Sequence, residues 1–213
     1  MIKNSHLHPV TRVGKRLMDI IGACLGLLLT ALLLPVIALA LCMESPGPVF
    51  FRQMRVGRMY PEFTELFMMI KFRTMHVDAE TKSGPVWAKK RDPRVTRVGR
   101  FLRKTRLDEL PQFANVLRGE MSLIGPRPER PGICDKLEVA IPLYAERTFG
   151  VAPGISGLAQ VNQGYDESIE DVRSKVAYDH AYSIVLSKPG RWILTDLSIV
   201  WRTLTLMACG RGQ

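Results

Sequence analysis

The chain has few cysteines, and their spacing excludes several classes of site. The four are Cys24, Cys42, Cys134 and Cys209 among 213 residues, and no two of them have C-x-x-C spacing. The four histidines do not combine with them in a zinc-binding pattern. The sequence therefore predicts neither a disulfide framework nor a zinc centre, and it favours reduced, mostly buried thiols in a protein that faces the cytoplasm.

Acidic residues are also too few to balance the cations, and the formal net charge is +10. Residues 1–16 hold four Lys or Arg and no acid, residues 52–127 hold seventeen against eight acids, and residues 128–213 hold nine against ten. The excess in the middle third indicates an anionic partner such as phosphate groups, nucleic acid or anionic lipid. Nucleic acid is disfavoured, because aromatic residues do not alternate with these cations and no nucleic-acid-binding motif is present.

Charge is missing altogether from Ile20 to Met43. These 24 residues exceed the ~20 that a helix needs to cross a bilayer. A cleaved signal peptide is disfavoured, because its apolar part would be shorter and would precede a small-residue cleavage site. A helix buried in a soluble core would also rarely lack charge over this length. The segment predicts a membrane helix, with residues 1–44 as a basic flank plus that helix and residues 45–213 as a cytoplasmic domain.

The topology of this helix follows from its flanks. Cations stand at both ends: Lys15 and Arg16 before the run, and Arg52, Arg55 and Arg58 after it. A single crossing cannot place both flanks in the cytoplasm, whereas a re-entrant helix can. Pro35 supplies the necessary break, because it removes a backbone donor. The alternative is a straight span with a mild kink, in which Lys15 and Arg16 are interface anchors.

The remaining segments predict a compact, mainly helical α/β domain. Residues 48–57 and 63–75 are apolar and aromatic, as in strands, whereas the glycine- and proline-rich stretches 121–132 and 151–168 read as loops. Helical patterns cover residues 94–106, 107–119, 133–149, 169–185 and 193–207. The last of these is amphipathic, which is compatible with a position at the lipid interface and equally with packing on the core.

Adjacent acids at Asp108 and Glu109, here called the dyad, follow a dense run of arginines. Pro111 is typical of a first helical turn, so the dyad is expected near a helix start, where anions are favoured. An ionised carboxylate there can attack phosphorus and form an acyl-phosphate. Its neighbour can hold a divalent metal against a diphosphate. The alternative is a structural ion-pair network.

Other charged residues are candidates for phosphate contacts. Arg127 lies between two prolines in "GPRP", a stiff loop suited to bidentate binding. Lys71 and Arg73 lie two apart in an apolar extended segment, where buried cations need an anionic partner. Asp179 and Asp196 are single acids in apolar helices, a setting that favours a satisfied ion pair over ligand binding.

Together these motifs resemble the bacterial sugar transferase family, the monotopic phosphoglycosyl transferases that start glycan assembly on undecaprenyl phosphate. The resemblance runs from "KRLMDI" at Lys15 to "LTDLSIVWRTL" ending at Leu204. It includes "SPGPVFFRQMRVG", "KFRTM", "DPRVTRVGRFLRKTRLDELPQFANVLRGEMSLIGPRP" and "PGISGLAQVN" in one order.

The resemblance implies a re-entrant membrane helix, interfacial amphipathic helices and a compact catalytic domain on the cytoplasmic face of the bacterial inner membrane. It implies a two-step exchange with Mg²⁺, in which Asp108 attacks the sugar-linked phosphorus of a UDP-sugar, UMP leaves, and a polyprenyl phosphate takes the sugar phosphate. Glu109 would hold or orient the metal, and Asp108 would adjoin it. Arg103 and Arg127 match phosphate-binding arginines of the family, and Lys71, Arg73 and Asp196 match positions near its active site. A homo-oligomer is compatible with this expectation.

The chain departs from the family pattern at two places. Pro35 stands about one turn later than the usual Ser-Pro break and follows Leu34, and Leu158 replaces a common Trp. Residues 163–168 lie where sugar selection is expected, and the short length implies that the extra N-terminal membrane domain of larger relatives is absent. Two non-catalytic alternatives are a membrane-anchored protein that binds anionic partners and a scaffold for a glycan-assembly complex.

Overall fold

The computed structural model describes residues 7–79, 92–164 and 168–209. The helices are α1 (Pro9–Glu44), α2 (Arg97–Lys104), α3 (Phe113–Arg118), α4 (Pro131–Ala140), α5 (Leu158–Asn162), α6 (Ile169–Leu186) and α7 (Arg191–Ala208). The strands are β1 (Phe50–Met59), β2 (Thr64–Phe72), β3 (Ser122–Ile124) and β4 (Gly154–Ser156), and 3₁₀ turns cover Leu107–Gln112 and Ala145–Thr148. The prediction of a mainly helical α/β protein with a long apolar N-terminal helix is confirmed.

The strands form two small sheets. Strands β1 and β2 pair as an antiparallel hairpin in which Phe51 lies opposite Lys71. Strands β3 and β4 pair in parallel within the two stretches that the sequence assigned to loops, and α5 lies in the second of them, so the loop assignment is wrong there. A strand of three residues is too short to show the alternation of polar and apolar side chains that marks a strand in a sequence. The pairing of β3 with β4 also depends on glycine. A Cβ at Gly154 would lie 2.1 Å from the backbone nitrogen of Gly125.

Helix α1 has one face on the domain and one apolar face that nothing in the described chain covers. Its buried residues recur at helical spacing from Thr11 to Leu41, and Ala23, Ile37 and Leu41 belong to the domain's hydrophobic clusters. The exposed face carries Val10, Val13, Leu17, Ile21, Leu25, Leu28, Leu32, Val36, Leu39 and Met43, each more than half exposed. This continuous apolar stripe suits contact with lipid, and α1 is long and apolar enough to cross a membrane.

Both ends of α1 contact the same domain. Near the N-terminal end, Gly14 packs against Trp192 and Gly22 against Leu123, and near the C-terminal end Leu41 packs with Phe72 in one cluster. Glycine at position 26 also permits close approach, because a Cβ there would lie 2.4 Å from the Phe113 ring. The helix continues through Pro35 without interruption. Re-entry into the membrane stays a prediction, and α1 ends at Glu44, the predicted domain boundary.

The cations before the apolar run bind the protein. Arg16 donates hydrogen bonds to the carbonyls of Val116 (2.7 Å) and Leu117 (2.7 Å) at the end of α3. Lys15 is buried, and its Nζ lies 2.8 Å from Asp196 Oδ2 and 3.1 Å from the Ile124 carbonyl. Their side chains therefore attach α1 to the domain, which differs from the interface anchors of the straight-span alternative.

The Lys15–Asp196 pair predicts a large stability effect. Substituting Lys15→Met leaves the Asp196 carboxylate, which is fully buried, without its cation, and we expect a loss of about 3–5 kcal/mol in the free energy of unfolding. Denaturant titration in detergent micelles measures it. The control is Arg118→Met, whose partner Glu120 lies 4.0 Å away in an exposed pair, with an expected loss of at most about 1 kcal/mol. Equal losses in the two variants would contradict the assignment.

The cysteines fit the expectation only in part. All four are free thiols, but Cys24, Cys42 and Cys209 are exposed and only Cys134 is buried. The prediction of mostly buried thiols is therefore wrong, because it rested on the small number and the spacing of the cysteines, which carry no information about burial. Cys24 and Cys42 lie on α1, whose outer face is apolar.

Helix α7 packs on the core with one side and leaves an apolar side exposed. Trp192, Asp196 and Ile199 are buried against the domain, which confirms packing on the core. On the other side, Leu194, Leu197, Trp201 and Leu204 are each more than half exposed and recur at helical spacing. A position of this side at the lipid interface stays a prediction. Helices α2 and α6 match the predicted segments closely.

Candidate active site

A tight turn after α2 places the dyad. Arg106 adopts a left-handed conformation (φ 54°) that ends the helical run, and the 3₁₀ turn Leu107–Gln112 then carries both acids in its first turn. The expected regular helix begins only at Phe113 and ends, as predicted, at Gly119 with φ 86°. Pro111 lies inside this 3₁₀ turn, before the regular helix begins. Asp108 and Glu109 are both buried, with 7% and 8% exposure.

Glu109 is surrounded by cations. Its Oε1 lies 3.1 Å from Lys71 Nζ and 3.5 Å from Arg127 Nη1, and its Oε2 lies 3.8 Å from Arg106 Nη1. Burial alone would raise its pKa, but Lys71, Arg127 and Arg106 together lower the pKa to about 2. Glu109 is therefore an anion throughout the physiological pH range.

Asp108 has a different environment. It forms no hydrogen bond or salt bridge with the described part of the chain, and it lines a cavity. Burial raises its pKa, Lys71 opposes that effect, and the neighbouring Glu109 adds to it. The two adjacent carboxylates thus differ: Glu109 is a fixed anion, and Asp108 is a buried group that lines the cavity. Such a pair is typical of sites that divide chemical roles between two acids.

The cavity has a volume of about 660 Å³, within the range of small-molecule sites. Cations from several elements converge on it: Arg55, Lys71, Arg94, Arg103, Arg106, Arg127 and Arg130. A diphosphate carries the complementary charge, and guanidinium groups can bind its oxygens bidentately. The cavity therefore suits a phosphorylated ligand of nucleotide size next to a desolvated carboxylate.

The loop that carries Arg127 is held by buried groups that sequence reasoning did not assign to the site. Arg147 donates a hydrogen bond from Nη2 to the Arg127 carbonyl (2.8 Å), and its Nη1 forms a buried salt bridge with Asp179 (2.9 Å). The expectation that Asp179 is a satisfied ion pair is confirmed. No local pattern could reveal its link to the loop, because the partners are 20 and 32 residues apart in sequence.

Arg55 is a second residue that sequence reasoning missed. Its Nη1 donates to the Pro128 carbonyl (3.1 Å) and lies 3.8 Å from Glu129 Oε2. Burial lowers its pKa to about 10, although Glu129 opposes that effect. The available signal was strand alternation: Phe51, Gln53 and Arg55 share one face of β1, and all three line the cavity.

The structure brings most of the predicted site residues together. Asp108, Glu109, Lys71, Arg103 and Arg127 all line the cavity, and Arg103 Nε donates to Thr74 Oγ1 (2.9 Å). The prediction that Lys71 has an acid or a phosphate as its partner is confirmed, because Glu109 is that acid.

Two predicted residues have other partners. Arg73 donates to the carbonyls of Ser45 (2.7 Å), Pro46 (2.6 Å) and Leu41 (3.3 Å), so its guanidinium caps the C-terminal end of α1 although part of it borders the cavity. Asp196 does not line the cavity; it joins Lys15 and Tyr182 in the buried network beside β3.

The dyad fits a divalent metal of the Mg²⁺ type. Glu109 Oε2 is buried and accepts no hydrogen bond from the described residues, and Asp108 lines the cavity. No group of three or more metal-binding side chains exists within residues 7–79, 92–164 and 168–209. Mg²⁺ does not require one, since it is commonly bound through one or two carboxylates together with substrate phosphates.

Residues 10–210 match the family described as bacterial sugar transferase. The chain belongs to this family. Among curated relatives it is similar to the UDP-N-acetylgalactosamine-undecaprenyl-phosphate N-acetylgalactosaminephosphotransferase of Aeromonas hydrophila, with 41% identity over 99% of the chain. It is also similar to the UDP-glucose:undecaprenyl-phosphate glucose-1-phosphate transferases of Caulobacter vibrioides (43% over 92% of the chain) and Escherichia coli strain K12 (44% over 93%).

The matched regions cover different shares of these bacterial sugar transferases. They amount to 50% of the Aeromonas protein, 41% of the Escherichia coli protein and 72% of the Caulobacter protein. The relatives' names give different sugars, N-acetylgalactosamine and glucose, at nearly equal identity to this chain. Overall similarity therefore does not select a sugar. The segment expected to select it includes residues 165–167, which lie outside the described part of the chain.

Proposed function

We propose that this bacterial sugar transferase moves a sugar-1-phosphate from a UDP-sugar to undecaprenyl phosphate and releases UMP, as the first step of glycan or exopolysaccharide assembly. The observation that carries the proposal is Asp108, a buried carboxylate that has no hydrogen-bond or salt-bridge partner among the described residues and that lines a cation-rich cavity. The names of the relatives supply the substrate classes. A non-catalytic binding protein or scaffold would not require such a desolvated acid.

In the first half-reaction, a carboxylate oxygen of Asp108 attacks the sugar-linked phosphorus of the UDP-sugar. A bond forms between that oxygen and phosphorus, and the bond from phosphorus to the UMP oxygen breaks with its electron pair. Lys71, Arg103 and Arg127 stabilise the charge that develops on the phosphate oxygens and the leaving group. Weak solvation keeps the Asp108 oxygens reactive; burial raises the pKa of this group, and the positive charge of Lys71 opposes that effect.

In the second half-reaction, a phosphate oxygen of the polyprenyl phosphate attacks the phosphorus of the aspartyl-phosphosugar. The acyl-phosphate bond breaks, the Asp108 carboxylate is restored, and a polyprenyl-diphosphate sugar leaves. Asp108 and Glu109 are the residues that would hold Mg²⁺, which would supply charge neutralisation of the diphosphate. The anionic state of Glu109, with its pKa near 2, suits it for that role.

A panel of UDP-sugars tests the activity. With Mg²⁺ and undecaprenyl phosphate in detergent, at least one UDP-sugar is expected to give UMP and a lipid-linked sugar diphosphate. UMP release that depends on neither Asp108 nor the lipid would contradict the two-step scheme. Salt-sensitive binding of anionic polymers with no turnover of any UDP-sugar would favour the non-catalytic alternative.

We further propose that α1 re-enters the bacterial inner membrane, with the catalytic domain on the cytoplasmic face. Support comes from the contacts at both ends of α1 with one domain and from the attachment of Lys15 and Arg16 to it. A helix that crossed the bilayer fully would separate its ends by the membrane thickness. A single water-exposed domain with a charged cavity could not then contact both ends of α1 at the same time.

Cysteine labelling distinguishes the two topologies. In a chain whose native cysteines are replaced, Arg12→Cys and Pro46→Cys introduce exposed thiols at the two ends of α1. In inverted membrane vesicles, a membrane-impermeant maleimide is expected to label both positions. Labelling of only one of them, with the other labelled solely in right-side-out vesicles, would establish a full crossing and contradict re-entry.

A further inference from the structure

The wall of the cavity combines residues of different chemistry. One group is apolar and aromatic, is here called the apolar end, and consists of Pro48, Phe50, Phe51, Phe72, Met75 and Val77. A second group is polar, is here called the polar end, and includes Gln160, Asn162 and Gln163. The dyad and its cations also line the cavity. Ligands that match this lining combine polar groups, phosphate groups and a hydrocarbon chain.

The apolar end exposes surface that a bound hydrocarbon would cover. Phe50 and Phe51 are 39% and 41% exposed, and Val77 is 62% exposed. Phe50 stacks on the buried Phe72 ring with centroids 5.5 Å apart, so its position is fixed before any ligand binds. Covering such rings is favourable by the hydrophobic effect.

This apolar end is connected both to the dyad and to the C-terminal end of α1. Phe51 is the cross-strand partner of Lys71, whose ammonium group contacts Glu109. Strand β1 begins at Phe50, soon after α1 ends at Glu44. Arg73, which also borders the cavity, holds the last carbonyls of α1. Phe50 and Phe51 therefore lie, along the chain and across the hairpin, between the end of α1 and the lysine that contacts the dyad.

We infer that the apolar end is the acceptor subsite, where Phe50, Phe51 and Val77 bind the first isoprene units of the polyprenyl phosphate and direct its phosphate toward Lys71 and the dyad. The UDP-sugar occupies the polar end. This inference rests on the proposed function and adds to it the place where the acceptor binds. A hydrocarbon chain at this end has another source, the acyl chain of a membrane phospholipid, and the experiment separates the two.

The two half-reactions provide the test. Loading is the formation of the covalent adduct from a UDP-sugar without lipid, and discharge is its transfer to added polyprenyl phosphate. We expect Phe51→Ser and Val77→Ser to load normally but to discharge about 10-fold more slowly at subsaturating lipid in detergent. Phe51→Leu keeps the hydrocarbon contact and should discharge at nearly the normal rate.

The matched control is Met54→Ser. Met54 is 49% exposed on the same strand but does not line the cavity, so loading and discharge should both be unchanged. Discharge at the control rate in Phe51→Ser and Val77→Ser would overturn the inference. If Phe51→Ser does not fold, Val77→Ser decides the question alone.

Two further outcomes would also overturn it. Slower loading and unchanged discharge would assign the apolar end to the nucleotide sugar. Weaker binding to phospholipid vesicles together with normal discharge in detergent would make Phe51 and Val77 a membrane contact. Failure of the unsubstituted protein to load at all is a different result, because it would remove the proposed function and this subsite with it.

Discussion

The variant Asp108→Asn is expected to lose at least about 1,000-fold in UMP release and to form no covalent adduct. An amide cannot act as the anionic nucleophile at phosphorus, and removal of a catalytic nucleophile costs factors of this order or more. The substitution preserves the size of a side chain that has no hydrogen-bonding partner among the described residues, so the fold should be retained. Single-turnover UMP release and intact-protein mass measure the two effects.

The control is Asp135→Asn. Asp135 is exposed on α4 and does not line the cavity, so both activities should be unchanged. Membrane insertion should be the same in both variants, because α1 is untouched. Normal turnover by Asp108→Asn would show that another group accepts the sugar phosphate.

The variant Lys71→Met is expected to reduce the loading rate about 100-fold, because it removes a buried cation that contacts Glu109 and lines the cavity proposed to bind the phosphates. It should also change the pH profile. In the proposed mechanism loading requires ionised Asp108, whose pKa burial raises and Lys71 lowers. In the unsubstituted protein the rate should therefore fall on acidification, with a midpoint above 3.8, the ordinary value for this group. Without Lys71 the midpoint should move to higher pH.

The pH profile separates an electrostatic role from a merely structural one. A variant with damaged packing would lose rate at every pH and keep the same midpoint. The control Lys136→Met changes an exposed lysine on α4 and should alter neither rate nor midpoint. An unchanged or lower midpoint in Lys71→Met would contradict the electrostatic coupling between Lys71 and Asp108.

The parts of the fold that sequence revealed are those with a local cause. The uncharged run from Ile20 to Met43 gives α1, apolar periodicity gives α2 and α6, and Gly119 ends α3 as its positive φ requires. The strands β3 and β4 were missed, because they are three residues long and are defined by pairing across a large separation. The 3₁₀ turn around the dyad was also missed, since Arg106 takes a conformation that glycine would normally mark.

The candidate site shows the same distinction between residues with a local signal in the sequence and residues whose partners are distant in the sequence. The dyad, Arg127 and Lys71 were predictable because each is charged and lies in a recognisable motif or an apolar segment. Arg55 was predictable in principle, because the alternation of side chains along β1 places it on the face that lines the cavity. Arg73 and Asp196 illustrate the limit of such reasoning. Both are buried charged residues in apolar segments, but the sequence cannot show that Arg73 caps α1 and that Asp196 pairs with Lys15, which is 181 residues away.

The mass of the intact protein after exposure to Mg²⁺ and a panel of UDP-sugars, in the absence of lipid, tests the central claim most directly. The account predicts an increase equal to one sugar phosphate for at least one donor, located at Asp108 by peptide mapping and removed on addition of undecaprenyl phosphate. An adduct on any other residue would contradict it. So would lipid-linked product from a protein that never gains this mass.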